Sequence, residues 1–152
     1  MLNKMSKVTS AGILLESRGK FLLGHPTELT GTTHGWGILK GKVDENETIG
    51  DAAFREFQEE SGIDLHQYPI HYIARPFYKY SVKSAKKTVY VFWVIDPYAK
   101  LAEIKFNCPS LVQGTGKPEI DRYYWATPDE AINMATESQK ELFRVVKGLY
   151  VE

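Results

Sequence analysis

Three glutamates, Glu56, Glu59 and Glu60, stand at i, i+3 and i+4 within a stretch that reads as a helix over residues 48–61. That spacing makes them neighbours on one helix face. Successive residues advance by about 100° around the axis. Ile49, Ala52 and Ala53 therefore share one side, and Asp51, Arg55 and Gln58 share the opposite, solvent-facing side. The glutamate stripe continues the apolar side, so one face is apolar in its first turns and triply acidic in its last. Neighbouring carboxylates repel one another, and turning them toward the body of the protein removes their hydration. Raised pKa values, cationic partners or a bound metal would relieve this. Hard divalent ions favour carboxylate oxygens, and Mg²⁺ typically binds through a few carboxylates plus substrate phosphates. On the residues alone two readings stand side by side: a metal platform, and a solvated acidic face in which Arg55 pairs with Glu59.

The elements that must position these side chains follow from pattern. Thr48 followed by Asp51 resembles a capping box, and Gly62 is a C-terminal stop. Residues 8–15 and 21–23 read as strands joined by a turn at 16–20, and residues 25–37 read as a loop. Residues 70–80 and 88–95 are β-rich and flank a basic turn at 83–87. Residues 107–118, with two glycines and two prolines, read as a long loop before a short aromatic strand at 120–126. Thr-Pro-Asp-Glu opens a helix over 127–135. A second helix, 138–149, carries Leu142, Val145, Val146 and Leu149 on one stripe. Strands with one helix inserted and two at the end predict an α/β fold, a mixed sheet covered on both sides.

The chain of 152 residues suits one domain with a real core. Nineteen basic residues balance nineteen acidic ones, so no strong field draws it to a long nucleic acid or a membrane surface. The apolar run at 89–95 is too short to span a bilayer, and residues 1–10 lack a signal-peptide core. One cysteine, Cys108, excludes an internal disulfide. Together these predict a cytoplasmic protein. Cys108 reads as structural. So do His25, His34, His66 and His71, which lack metal-ligand spacing; His34, near Trp36, merits a test.

The segment Gly41, five residues, Glu47, seven residues, Arg55-Glu56-Phe57-Gln58-Glu59-Glu60-Ser61-Gly62-Ile63 resembles the Nudix box at every fixed position. Trp36 to Lys42 resembles the family's lead-in, with Leu39 where many members have Pro, and Glu119 to Ala131 resembles its closing strand and helix. The resemblance implies a single-domain α/β/α sandwich with a mixed sheet over residues 1–152. It implies hydrolysis of a nucleoside diphosphate linked to another moiety. It implies Mg²⁺, with Mn²⁺ as a substitute, held by Glu56, Glu59, Glu60, the Gly41 carbonyl and Glu119. Glu56 is favoured over Glu59 for positioning or deprotonating the attacking water. Glu47 and Arg55 would orient the acidic set. Lys40 and Lys42 would contact phosphate.

Substrate choice falls to flanking positions. Where ADP-ribose-type members often carry Pro, this chain has Tyr78. Tyr80, seventeen residues beyond Ile63, matches a tyrosine often found in dinucleoside-polyphosphate members. Such a ring stacked on a base contributes roughly 1–3 kcal/mol in nucleic-acid systems. The leading expectation is a diadenosine-type dinucleoside polyphosphate, handled by a monomer or homodimer. The alternatives are an ADP-ribose, FAD or ADP-sugar pyrophosphatase, a nucleoside-triphosphate enzyme and an RNA 5′-end pyrophosphohydrolase. A non-catalytic nucleotide sensor would be expected to lose box glutamates, and none is lost.

Overall fold

The computed structural model describes residues 7–150. Its organising strand is β1 (Val8–Ser17). One edge of β1 pairs in parallel with β6 (Lys87–Asp96) along its whole length, Val8 opposite Lys87 through Ser17 opposite Asp96. The other edge is divided. Residues 10–13 pair antiparallel with β3 (Leu39–Lys42), and Glu16 and Ser17 pair with the start of β2 (Lys20–Pro26). β2 then peels away to pair antiparallel with β7 (Ile120–Ala126). Where β2 and β3 part, Gly24 and Gly37 exchange two backbone hydrogen bonds of 2.8 and 3.0 Å. β4 (His71–Tyr72) and β5 (Tyr78–Val82) both run antiparallel to β6, giving a seven-stranded mixed sheet.

The apolar residues of β1 alternate between two cores, as the two-residue period of a strand requires. Leu14 packs with Phe21, Leu23, Val89 and Val91 against α2 (Pro128–Met134) and α3 (Lys140–Tyr150), through Ala131, Leu142, Phe143 and Val146. Ala11, Ile13 and Leu15 pack with Leu22, Phe92 and Val94 against Ala52, Ala53 and Phe57 of α1 (Ile49–Ser61). A sheet covered on both faces needs apolar side chains on both. The expected α/β/α sandwich is what forms.

The caps match their sequence signals. The Thr48 side chain accepts from the Asp51 amide at 3.0 Å, and Gly62 closes α1 at φ 78°. Thr127 and Glu130 form a reciprocal capping box on α2. α3 follows a 3-10 turn at Glu137–Gln139; Phe143 replaces Leu149 on its buried stripe, and Leu149 is exposed.

Three elements depart from expectation. The strand expected over 70–80 is interrupted between Tyr72 and Tyr78, where Pro76 has no N–H to give to a ladder. The loop expected over 25–37 is shorter, because His25 belongs to β2 and a 3-10 turn, Thr27–Leu29, follows it. β3 arises inside the segment leading into the glutamate motif, and Lys87 starts β6 instead of ending a turn. Among the described residues no helix is long and apolar enough to cross a membrane.

Candidate active site

The C-terminal half of α1 carries the acidic set, and Arg55 organises it. Its Nε and Nη2 donate to the two Glu47 oxygens at 2.8 and 3.0 Å. Nη1 donates to Glu56 at 3.0 Å and to Glu59 at 3.1 Å, and Nη2 also reaches the Lys42 carbonyl at 2.9 Å. The helical wheel placed Arg55 on the solvated side. Instead its long stem bends back and delivers the guanidinium to the carboxylates, as amphipathic side chains do. One planar fork thus satisfies three glutamates and a backbone carbonyl. The Arg55–Glu59 pair of the solvated-face reading also forms, inside this larger cluster.

Electrostatics separates the glutamates. Burial pushes Glu60 up to about 8, and the charges of Glu56 and Glu119 add to the effect. Its Oε1 accepts from the Lys40 amide at 3.1 Å. Burial raises Glu56 as well, even with Arg55 donating to it. Glu47, hydrogen-bonded by Arg55, is held below the usual carboxylate range. Gly41 on β3 lies against Glu56 so closely that a Cβ there would stand 2.0 Å from the Glu56 Cδ; the position has no room for a side chain.

The 107–118 loop is fastened to the end of α1. Asn107 and Ser110 amides donate to the Ser61 and Glu59 carbonyls at 3.1 and 3.0 Å. Ser110 Oγ donates to Glu119 at 2.7 Å, which holds that carboxylate beside the acidic set. The Tyr123 hydroxyl donates to the Glu60 carbonyl at 2.5 Å.

Among the described residues no three His, Cys, Asp or Glu side chains already surround one point as a metal cage would. The chemistry of the donors nonetheless fits a hard divalent cation. They are carboxylates, two are desolvated with raised pKa values, and β3 leaves a side-chain-free approach at Gly41. A divalent ion would relieve the charge that burial leaves uncompensated.

Beside the acidic end lies a cleft of about 410 Å³, at the place where β2 and β3 part. Glu60, Glu119, Lys40, Lys87, Tyr80 and Gln139 line it. Burial and the neighbouring Lys87 push the Lys40 ammonium down to about 8. Tyr80 lies at the cleft wall, 9% exposed, with its hydroxyl accepting from Gln139 Nε2 at 3.0 Å. Among the residues anticipated for substrate, Lys40 and Tyr80 reach the cleft. Tyr78 packs against the α2–α3 core and Lys42 is exposed, and neither lines the cleft. Gln139 was not anticipated; a glutamine at a helix entry carries no signal in the sequence.

The histidines stand apart from the acidic set. His25 is buried with Nδ1 2.8 Å from Asp121, His66 stacks on Phe54, and His34 and His71 are exposed. Cys108 is half-buried with Sγ 3.3 Å from the Ser110 carbonyl.

The architecture is a mixed sheet between helical layers, with a carboxylate-bearing helix opening on a cleft. The chain belongs to the Nudix family: the NUDIX domain model matches residues 5–146. It is a hydrolase, of the pyrophosphohydrolase kind. It is 28% identical over 161 residues to an RNA pyrophosphohydrolase of Sulfurovum sp., with 100% of this chain and 98% of the relative aligned. An RNA pyrophosphohydrolase of Marinomonas sp. is 26% identical over 136 residues, covering 87% of this chain and 82% of the relative. The fold is shared with the solved binary complex of a C. elegans Ap4A hydrolase, at a TM-score of 0.71 and 21% identity, over 92% of this chain and 96% of that one.

Proposed function

We propose that the chain cleaves the pyrophosphate bridge of a nucleoside diphosphate linked to another moiety, with a diadenosine-type dinucleoside polyphosphate as its substrate. The observation that carries this is the joining of two opposite charge environments in one cleft. Glu60 and Glu119 line it together with Lys40 and Lys87, and the Lys40 amide donates to Glu60. A polyphosphate chain needs a divalent cation at the bond that breaks and fixed cations along its remaining oxygens. Tyr80 borders the same space. The absence of net charge suits a small nucleotide better than a long polyanion.

Glu56, Glu59, Glu60, the Gly41 carbonyl and Glu119 would hold Mg²⁺, or Mn²⁺ in its place. When bound, such an ion neutralises charge developing on the phosphoryl oxygens and lowers the pKa of water. Arg55 and Glu47 keep the acidic side chains in one arrangement before substrate arrives. Water adds to one phosphorus of the bridge, the bond from that phosphorus to the bridging oxygen breaks so that the oxygen leaves with the other phosphate, and Glu56 takes the proton of the water. No covalent enzyme intermediate is required. Lys40 and Lys87 hold the remaining phosphates.

A second reading has its own support. The Sulfurovum and Marinomonas relatives are named RNA pyrophosphohydrolases, and a 5′-triphosphate end offers the same phosphate chain. The deciding experiment is a substrate panel with Mg²⁺ and Mn²⁺, products resolved by chromatography. It includes diadenosine tetraphosphate, ADP-ribose, FAD, NADH, nucleoside triphosphates and 5′-triphosphate RNA. Preferential release of ATP or ADP from the diadenosine compound is expected. Turnover confined to ADP-ribose or to RNA would replace the substrate named here.

A further inference from the structure

Gln139 is 1% exposed and lies between two groups of the cleft. The Ile38 amide donates to its Oε1 at 2.9 Å. Its Nε2 stands 3.0 Å from the Tyr80 hydroxyl. A backbone N–H can only donate, so the carboxamide oxygen must face Ile38 and the NH₂ must face Tyr80. An amide NH₂ cannot accept, so the Tyr80 oxygen is the acceptor of that bond. The phenol proton is thereby left to point elsewhere. Burial pushes the phenol up to about 12, so the proton is present at neutral pH. Among the described residues no group takes it. Gly37 leaves room for the amide: a Cβ there would stand 2.8 Å from Gln139 Oε1.

We infer that Gln139 is a positioning residue, which fixes Tyr80 as a hydrogen-bond donor toward the cleft and so makes the cleft select a ligand with an acceptor atom at that point. The inference rests on the substrate occupying this cleft, as proposed above. It also changes what Tyr80 does. A ring held at its hydroxyl and nearly buried acts through its O–H, not as a free stacking platform. Lys40 and Lys87 line the same space, so the acceptor they favour is an oxygen of the phosphate chain. An acceptor on the nucleoside satisfies the same chemistry, and the ligands below separate the two.

The test is a double-mutant cycle on Gln139→Glu and Tyr80→Phe. Glutamate keeps the shape and still accepts from Ile38, but its second oxygen accepts from the phenol and consumes the proton. Affinities for ADP and for inorganic pyrophosphate are measured by calorimetry, beside KM and kcat on diadenosine tetraphosphate. Gln139→Glu and Tyr80→Phe should each weaken ADP binding about tenfold, the lower end for a hydrogen bond to a charged group. The Glu substitution should add less than twofold in the Tyr80→Phe background. KM should rise more than kcat falls. An equal weakening for pyrophosphate places the acceptor on the phosphate; a weakening for ADP alone places it on the nucleoside, and either supports the polarity relay. The same factor for Gln139→Glu in both backgrounds would reduce it to charge repulsion and overturn the inference, as would unaltered affinity. Gln139→Met, which leaves the phenol unoriented without adding charge, should fall between wild type and Tyr80→Phe, and covers the case in which the Glu variant does not fold. If diadenosine tetraphosphate is not cleaved, the substrate proposal fails and the ADP and pyrophosphate cycles still decide this one.

Discussion

At the scale of single residues, the acidic cluster is a balance between burial and charge, and two substitutions read that balance separately. Gly41 has no positive φ, so alanine there strains no backbone; the nearest atoms its Cβ would meet are those of the Glu56 carboxyl. Displacing Glu56 by an ångström or so should lower kcat about 100-fold while circular dichroism stays as in the wild type. Turnover near the wild-type rate would show that the Gly41–Glu56 approach is not needed for chemistry. Glu60 reports through stability. Its folded-state pKa of about 8 lies above the ordinary glutamate value of 4.5, so between those limits the folded protein keeps a proton that the unfolded chain releases. Stability of the metal-free protein should therefore fall as pH rises from about 4.5 to about 8, by on the order of 10 °C in Tm. Lys40 works in a different window, because its lowered pKa of about 8 makes stability rise only above that pH. Glu60→Gln should flatten the slope below pH 8, and Mg²⁺ should raise the wild-type Tm more at pH 8 than at pH 5, since it competes with the proton. Parallel Tm–pH curves for wild type and Glu60→Gln would refute the buried-carboxylate account.

At the scale of elements, α1 and the loop docked on its end form one working part. Gly62 serves both. It adopts φ 78°, and a Cβ on it would stand 2.7 Å from the Asn107 carbonyl. Gly62→Ala should lose about 1–2 kcal/mol to left-handed strain and further stability to the clash. It should also lower activity, because the displaced loop carries Ser110, which holds Glu119. Gly114→Ala is the matched control, with a similar φ of 82° and open space around it; it should lower Tm less and leave kcat within about twofold. Equal effects from the two variants would mean that strain alone, and not docking, sets the role of Gly62. Much of α1 was legible in advance. Its cap, its apolar face and its glycine stop are local signals, and its acidic stripe followed from 3.6-residue geometry. The sidedness of Arg55 was misread because a wheel fixes where a Cβ points and not where a long side chain ends. The break between β4 and β5 depended on Pro76, whose missing N–H matters only once β6 lies alongside. β3 had no pattern to announce it; four residues with a central glycine become a strand because β1 offers an edge.

At the scale of the whole molecule, the cleft exists because β1 divides its edge between β2 and β3. No run of residues encodes that division, so the sequence pointed to the acidic end and gave no hint that Gln139, from the far end of the chain, would meet Tyr80 and Ile38 there. The same division ties the two cores together. β1 sends Leu14 toward α2 and α3, and Ala11, Ile13 and Leu15 toward α1. β6 repeats the pattern, with Val89 and Val91 on one side and Phe92 and Val94 on the other. Neither helical layer can lose its packing without exposing one face of strands that the other layer needs. We therefore expect the chain to unfold as one cooperative unit. Leu14→Ala, on the α2–α3 side, should cost about 2–5 kcal/mol, and Phe57→Ala, on the α1 side, about 3–5 kcal/mol. Each should lower a single transition in which calorimetric and van't Hoff enthalpies agree. The readout that separates one unit from two is hydrogen exchange of the untouched layer. In Leu14→Ala, amides of α1 should lose protection to the same extent as those of α3. Protection lost in α3 and retained in α1 would show that the layers melt independently, and that the acidic platform is stable without the wall that carries Gln139.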